Sequence, residues 1–167
     1  TTIAATIGDR TIDTGFHTTT PDAPDVQRYL TQMVDAGMEY AVIEATSHGL
    51  AQHRLDAVEF DIAVVTNITH EHLDFHKTWE NYRDAKTLLF RALAKSYRKK
   101  RTAKVAVLNA DDAPSFEYLR GIASDEQVIY GVRTREQGRG GAGENHSQSA
   151  IHNSQLIVAR DIIHSAN

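Results

Sequence analysis

The chain alternates apolar segments of strand length with longer segments that carry apolar residues at helical spacing. The strand-like segments read MEYAVIEA, FDIAVVTN, KVAVLN and QVIYGV. The helix-like segments read PDAPDVQRYLTQMVDAG, TWENYRDAKTLLFRALAKSYR and DDAPSFEYLRGIA. Buried strands that alternate with amphipathic helices are typical of a parallel sheet. The sequence therefore predicts an α/β fold, built on a largely parallel sheet with helices on both faces.

Individual residues mark where the predicted helices, strands and loops begin and end. Gly37 follows the first helical segment, where a C-terminal cap belongs, and Thr78 precedes the long one, where its hydroxyl can cap the helix. The opening TTIAATIG reads as a strand that turns at Asp9-Arg10 and returns through TIDTGF. MEYAVIEA reads as a buried strand and SHGLAQHR as a loop. Residues 133–153 are rich in Gly, Arg, Gln, Ser and Asn, which predicts a mobile loop before a possible last strand in QLIVARDI.

Composition narrows the class of protein. The 167 residues, 41% of them apolar, suffice for one domain with a hydrophobic core. The net charge of −4 gives no basic surface of the kind that nucleic-acid binding needs, and no apolar run approaches the roughly 20 residues of a membrane span. The sequence has no cysteine, which excludes disulfides and thiolate zinc sites. These features predict a cytoplasmic protein whose partners include neither nucleic acid nor membrane.

Polar residues follow three of the predicted strands. Glu44 and Thr46 end one strand, Asn67 ends the next, and Asn109 and Asp112 follow a third. Ligands of open α/β sheets gather at the carboxyl ends of the strands, so these residues predict a site at one edge of the sheet. A carboxylate inside an apolar strand must be paired or bound to metal if it is buried, which sets Glu44 apart.

Lys86 interrupts the apolar stripe of the long helix. The stripe consists of Trp79, Tyr82, Leu89, Phe90 and Leu93. In one interpretation the lysine extends its amine out along the apolar surface into water. In the other, the helix holds the amine near the site, where loss of water makes it neutral and reactive. The sequence leaves both open.

The segment TNITHEHLDFH, residues 66–76, crowds histidines and carboxylates after a strand. His70, His72, Asp74 and His76 almost form the histidine and aspartate pattern of a zinc hydrolase. That pattern has Asp and His adjacent, whereas Phe75 separates them in this chain. Zinc chemistry therefore stays an alternative that needs further ligands.

Four segments together resemble one family, the Mur ligases of peptidoglycan synthesis, and among them the tripeptide synthetases. The segments are TTTPDA, YAVIEATSHGLAQHRLD, FDIAVVTNITHEHLDFHKTWENYRDAKTLLF and VAVLNADD, in the family's order and covering residues 18–112. The resemblance implies a P-loop NTPase-like central domain of an amide ligase that uses ATP and magnesium. Its partners would be UDP-MurNAc-L-Ala-D-Glu, whose terminal carboxylate is phosphorylated, and an amino acid that attacks the acyl phosphate, meso-diaminopimelate or L-lysine.

The resemblance also implies roles for individual residues. Three would hold magnesium and carry the catalysis: Glu44, His72 and Lys86, the last as a carbamate formed from CO₂. Five would bind the UDP-MurNAc-dipeptide: Thr19, Thr20, Thr46, Gln52 and Arg54. Asn109 and Asp112 would lie near the nucleotide, and the resemblance implies no role for His70 or His76.

One element of the family pattern has no counterpart in the sequence. The family's P-loop has the form G-T-N-G-K-T-T, and TTIAATIG resembles the strand that follows that loop and its helix. We therefore expect residues 1–167 to be part of the central ATP-binding domain, without ligase activity alone and with poor ATP binding. Other interpretations stay open: another Mur ligase or a folylpolyglutamate synthase-like ligase, the zinc hydrolase, or a non-catalytic binding module.

Overall fold

The computed structural model of the chain describes residues 4–13, 19–68, 73–131 and 156–160, the last range by its backbone alone. Seven strands are described: β1 Ala4–Ile7, β2 Arg10–Asp13, β3 Tyr40–Glu44, β4 Ile62–Val64, β5 Val105–Asn109, β6 Glu126–Tyr130 and β7 Leu156–Arg160. Five helices are described: α1 Ala23–Asp35, α2 Ser47–Ala51, α3 Leu73–His76, α4 Trp79–Lys95 and α5 Ala113–Leu119. The predicted mobile loop, residues 133–153, lies outside the described residues.

Five strands form the main sheet, in the order β3-β7-β4-β5-β6. Strands β4, β5 and β6 pair in parallel, whereas β7 lies antiparallel between β3 and β4. Because β7 is antiparallel to both neighbours, β3 runs in the same direction as β4. The carboxyl ends of β3, β4, β5 and β6 therefore meet at one edge of the sheet. The predicted α/β class is confirmed, with β7 as the strand that runs against the others.

The predicted strand, turn and strand at the start of the chain form a two-stranded sheet. Strands β1 and β2 pair antiparallel, and Gly8 in their turn has a φ of +59°, a conformation that glycine adopts without strain. Helix α1 ends at Asp35, and Gly37 lies just beyond its end, as predicted for a C-terminal cap, with a φ of +73°. The amides of Gly37 and Met38 donate to the carbonyls of Val34 and Met33, which satisfies groups that the helix end leaves free.

Helix α4 packs against the sheet, and its apolar face forms much of the core. It begins as predicted after Thr78, whose Oγ1 accepts from the Asn81 amide at 3.2 Å. Leu89 and Phe90 of its apolar face pack with Phe60 and with Leu108 of β5, all with 1% exposure or less. Burying an aliphatic or aromatic side chain of this size contributes about 1.5–3 kcal/mol to stability. This face fixes the helix, and with it Lys86, over the carboxyl edge of the sheet.

An ion network lies at the opposite, amino edge of the sheet. Asp61 and Lys104 are fully buried, with Lys104 Nζ 3.0 Å from Asp61 Oδ1 and 2.5 Å from the Phe60 carbonyl oxygen. Lys99 Nζ lies 2.6 Å from the other Asp61 oxygen. The backbone amide of Lys104 donates to Asp125, which also accepts from Arg98. We call these five residues, Asp61, Arg98, Lys99, Lys104 and Asp125, the amino-edge network.

Two predictions about local structure are wrong. Strand β3 is only half-buried, because Val42 is 51% exposed while its neighbour Ala41 is buried. The segment predicted as a loop, SHGLAQHR, begins with helix α2. Thr46 caps this helix by accepting from the Gly49 amide at 3.0 Å, so a short capped helix replaces the first part of the predicted loop.

Candidate functional site

Two threonines join the carboxyl end of β3 to the start of α2. Thr20 Oγ1 donates to the Glu44 carbonyl oxygen at 3.0 Å and accepts from the Thr46 amide at 3.0 Å. The two threonine hydroxyl oxygens are also 3.0 Å apart. Since the proton of Thr20 is used on Glu44, the Thr46 hydroxyl donates to Thr20 and accepts from Gly49. We call Thr20 and Thr46 with these bonds the threonine cluster.

Thr20 is 1% exposed, whereas its neighbour Thr19 lines a cavity of about 390 Å³. The cavity lies between β1, α1 and β3, and its lining is largely apolar, with Glu44 among the lining residues. Of the two threonines predicted to bind substrate, Thr19 therefore lies at the wall of a cavity and Thr20 is buried inside the protein.

Arg54 and Gln52 also differ in their surroundings, because Arg54 binds other residues of the protein and Gln52 faces water. Arg54 Nη1 donates to the Thr20 carbonyl oxygen at 2.7 Å, and its Nε lies 3.4 Å from a carboxylate oxygen of Asp22. Gln52 follows α2 and is exposed. Arg54 therefore holds the segment that contains Thr20, while the side chain of Gln52 faces water.

Lys86 is 3% exposed, and its amine lies at the carboxyl end of β3. Its Nζ donates to the Ala45 carbonyl oxygen at 3.4 Å and lies 5.9 Å from the centre of the Tyr82 ring. A lysine that extends its amine into water would be exposed at that end, so this interpretation is wrong. Helix α4 brings a buried amine to the residue that follows Glu44, which is partly buried itself.

Strands β4, β5 and β6 are tied together at the same edge. Asn109 donates to the Thr66 carbonyl oxygen at 2.6 Å, and Asp112 accepts from the Ile68 amide at 2.7 Å. The Tyr130 hydroxyl, at the end of β6, donates to the Val65 carbonyl oxygen at 2.9 Å. Two effects raise the pKa of Tyr130 above its ordinary value. The larger is burial of the phenol, and the smaller is the negative charge of the nearby carboxylates of Asp111 and Asp112. The phenol therefore stays a neutral donor.

Of the four proposed zinc ligands, only Asp74 and His76 lie in the part of the chain that the structure describes, so the zinc alternative is untested. His70 and His72 lie outside the described residues, so the prediction for His72 as a magnesium ligand is also untested. Asp74 is exposed, whereas His76 is buried with its ring 5.4 Å from those of His48 and Tyr82. Among the described residues, no group of three histidines or carboxylates could hold a metal ion.

The structure thus gathers Thr20, Glu44, Thr46 and Lys86 at the end of β3, whereas Asn109 and Asp112 lie at the same edge of the sheet, at and just after the end of β5. The sequence interpretation missed Tyr130, although the rule that polar strand ends form sites applies to it. It also missed Gly49, because nothing in the local sequence reports a contact with Thr20. None of the helices in the described ranges combines the length and the hydropathy that a membrane span requires.

Comparisons with known proteins give a consistent result. Residues 1–161 match the family model described as Mur ligase middle domain. A UDP-N-acetylmuramoyl-L-alanyl-D-glutamate--2,6-diaminopimelate ligase of Bacillus cereus is 44% identical over 133 residues, which cover 80% of this chain and 26% of the relative. The corresponding L-lysine ligase of Staphylococcus aureus is 44% identical over 71% of this chain and 23% of its own length. A UDP-N-acetylmuramyl-tripeptide synthetase of Roseiflexus is 44% identical over 78% of this chain. The chain spans about a quarter of the length of these relatives.

Proposed function

The chain belongs to the Mur ligase middle-domain family, and we propose that it forms the phosphoryl-transfer part of a ligase that extends UDP-MurNAc-L-Ala-D-Glu. The ligase would add the third amino acid of the peptide, meso-diaminopimelate or L-lysine, with ATP and magnesium. The names of the relatives support this substrate and include both amino acids. The proposal therefore leaves the amino acid to be decided by assay.

The observation that carries the proposal is the buried amine of Lys86 beside the end of β3. A lysine at 3% exposure loses most of its water, and its amine donates to Ala45, the residue after Glu44. Desolvation disfavours the ammonium form of an amine. The amine interrupts the apolar face that α4 presents to the core and lies beside the end of β3.

We propose that Lys86 acts as a carbamate. The neutral amine nitrogen would form a bond to the carbon of CO₂ and release one proton, which leaves an anionic carbamate. Carbamate and carboxylate oxygens are hard ligands that suit magnesium, so Lys86 and Glu44 would hold the cation together with His72. Bound ATP and magnesium would supply the phosphoryl group and the charge that stabilises its transfer.

The residues around β3 and α2 would bind the dipeptide substrate. Thr19 lines the cavity, and the exposed Gln52 is available for hydrogen bonds to a ligand. Thr46 and the internal Thr20 would set the shape of the strand end, and Arg54 would hold it from the other side through the Thr20 carbonyl. Asn109 and Asp112 would shape the edge near the nucleotide, because each already fixes a backbone group that follows β4.

Substitution of Lys86 tests the proposal in the natural gene product that carries these residues. We expect Lys86→Ala to abolish formation of the UDP-MurNAc-tripeptide, with each amino acid supplied in turn. Lys95→Ala is the matched control, because Lys95 lies on the same helix and is exposed. Loss of activity in both variants, or in neither, would refute the assigned role of Lys86.

A spectroscopic test addresses the carbamate separately from turnover. We expect the wild-type protein in ¹³C-labelled bicarbonate to show a carbamate carbon signal that disappears in Lys86→Ala and persists in Lys95→Ala. A stoichiometric zinc ion in the purified protein, with hydrolase activity and no ligation, would instead support the zinc alternative.

A further inference from the structure

Gly49 of α2 is in unusually close contact with Thr20. A Cβ atom added at Gly49 would lie 2.8 Å from the Cβ and 2.8 Å from the Cγ2 of Thr20, and 3.0 Å from its hydroxyl oxygen. Real Cβ atoms essentially never approach other heavy atoms below 3.0 Å. Any residue other than glycine at this position would therefore have to displace the helix or Thr20.

Thr20 has little freedom to yield. Its side chain is 1% exposed, and the atoms in contact with Gly49 belong to a β-branched side chain with a stiff first torsion angle. Rotation about that angle would remove the hydroxyl from the Glu44 carbonyl and the Thr46 amide. The Thr20 carbonyl oxygen is in turn held by Arg54. A side chain at position 49 would thus disturb the threonine cluster rather than move a flexible group.

Backbone conformation does not explain the glycine. Among the described glycines, only Gly8 and Gly37 have a positive φ, so Gly49 has a backbone that any residue can adopt. Glycine inside a helix also costs stability relative to alanine. The contact with Thr20 is therefore the structural reason for glycine at this position.

We propose that Gly49 is a positioning residue of the substrate site. The absence of a side chain allows Thr20 to lie against α2, where its hydroxyl accepts from the Thr46 amide and binds the Thr46 hydroxyl. In this way Gly49 sets the position of Thr46 and of the end of β3 without touching a ligand. The effect on the dipeptide substrate rests on the proposed function, whereas the effect on the threonine cluster does not.

Amide hydrogen exchange on the 167-residue chain tests the positioning directly. We expect Gly49→Ala to lower the protection of the Thr46 amide by about tenfold or more, because its acceptor is displaced. Gly121→Ala is the matched control, because an added Cβ there meets only the Tyr118 carbonyl oxygen at an ordinary 3.8 Å. Unchanged protection at Thr46 in a folded Gly49→Ala protein would overturn the proposal.

A double-mutant cycle covers the case in which Gly49→Ala is poorly folded. Thr20→Gly removes the three atoms that would lie nearest to an added Cβ. We expect Gly49→Ala to lower the melting temperature in the wild-type background and to raise it, or leave it unchanged, in the Thr20→Gly background. Equal losses in both backgrounds would show that the contact with Thr20 is not the cause, which overturns the proposal.

Binding of the substrate provides the last measurement, made on the natural gene product by titration with UDP-MurNAc-L-Ala-D-Glu. We expect Gly49→Ala to weaken binding of the dipeptide about tenfold, with binding of ATP unchanged, and Gly121→Ala to bind both ligands normally. Normal dipeptide binding in Gly49→Ala would overturn the link from Gly49 to the substrate. If the wild-type protein binds no dipeptide, the proposed function fails, and the exchange experiment still decides whether Gly49 positions Thr20.

Discussion

The amino-edge network gives the sharpest stability prediction. Asp61 and Lys104 both have 0% exposure, and 3.0 Å separates Lys104 Nζ from Asp61 Oδ1. Asp61→Asn keeps the volume of the side chain and removes its charge. Lys104 then keeps the Phe60 carbonyl as an acceptor but loses its buried counter-charge. Leaving one member of a buried ion pair uncompensated costs about 3–5 kcal/mol, a large part of the stability of a typical domain.

Urea unfolding of the chain, followed by circular dichroism, measures this cost. We expect Asp61→Asn to lower the free energy of unfolding by about 3–5 kcal/mol, which corresponds to a fall of roughly 6–20 °C in melting temperature. Asp56→Asn is the control, because Asp56 pairs with His53 at the surface with its side chain 68% exposed. An exposed pair contributes about 0–1 kcal/mol. Similar losses in the two variants would refute the argument that burial makes the Asp61 pair costly to break.

Three further predictions concern single positions. Thr46→Ala removes the cap of α2 and should cost about 1 kcal/mol in urea unfolding, with Thr46→Ser close to wild type. Gly37→Ala places a side chain at a φ of +73° and should cost about 1–2 kcal/mol, so a variant as stable as wild type would contradict the strain at this position. Arg98 and the Lys104 amide lower the pKa of Asp125, so its contribution is present above the unfolded-state pKa and is lost as pH falls through the lower folded-state pKa. The stability difference between wild type and Asp125→Asn should therefore be constant near neutral pH and shrink below about pH 4, and a difference that grows on acidification would contradict it.

The sequence predicts those parts of the fold that depend on local signals. Helix α4 carries a long apolar stripe and a capping threonine, and Gly37 marks the end of α1, so these elements are visible without a structure. The position of Lys86 on that stripe is also visible in the sequence, but the sequence leaves open whether its amine reaches water, and the structure shows that it is buried. In contrast, α2 has five residues, too few for a helical period to be recognised.

Contacts between distant segments account for what the sequence does not predict. Asp61 and Lys104 flank strands, where charged residues usually face water, and 43 residues separate them. The contact of Gly49 with Thr20 has the same origin, because it depends on how α2 packs against the segment before α1. The roles of Glu44, Lys86 and the substrate-binding residues stay predictions.

The three parallel strands are fixed to one another at both ends. At the amino edge, Asp61 contacts Lys104 and the Lys104 amide contacts Asp125, which joins the residues that precede β4, β5 and β6. At the carboxyl edge, Tyr130 reaches from β6 across β5 to the end of β4. We expect strands held at both ends to move together, so that a displacement at one edge also shifts the other. If the proposed site is at the far edge, variants of the amino-edge network should therefore alter ligand binding there even when they remain folded, and reduced binding in such a variant would not identify a residue that touches substrate.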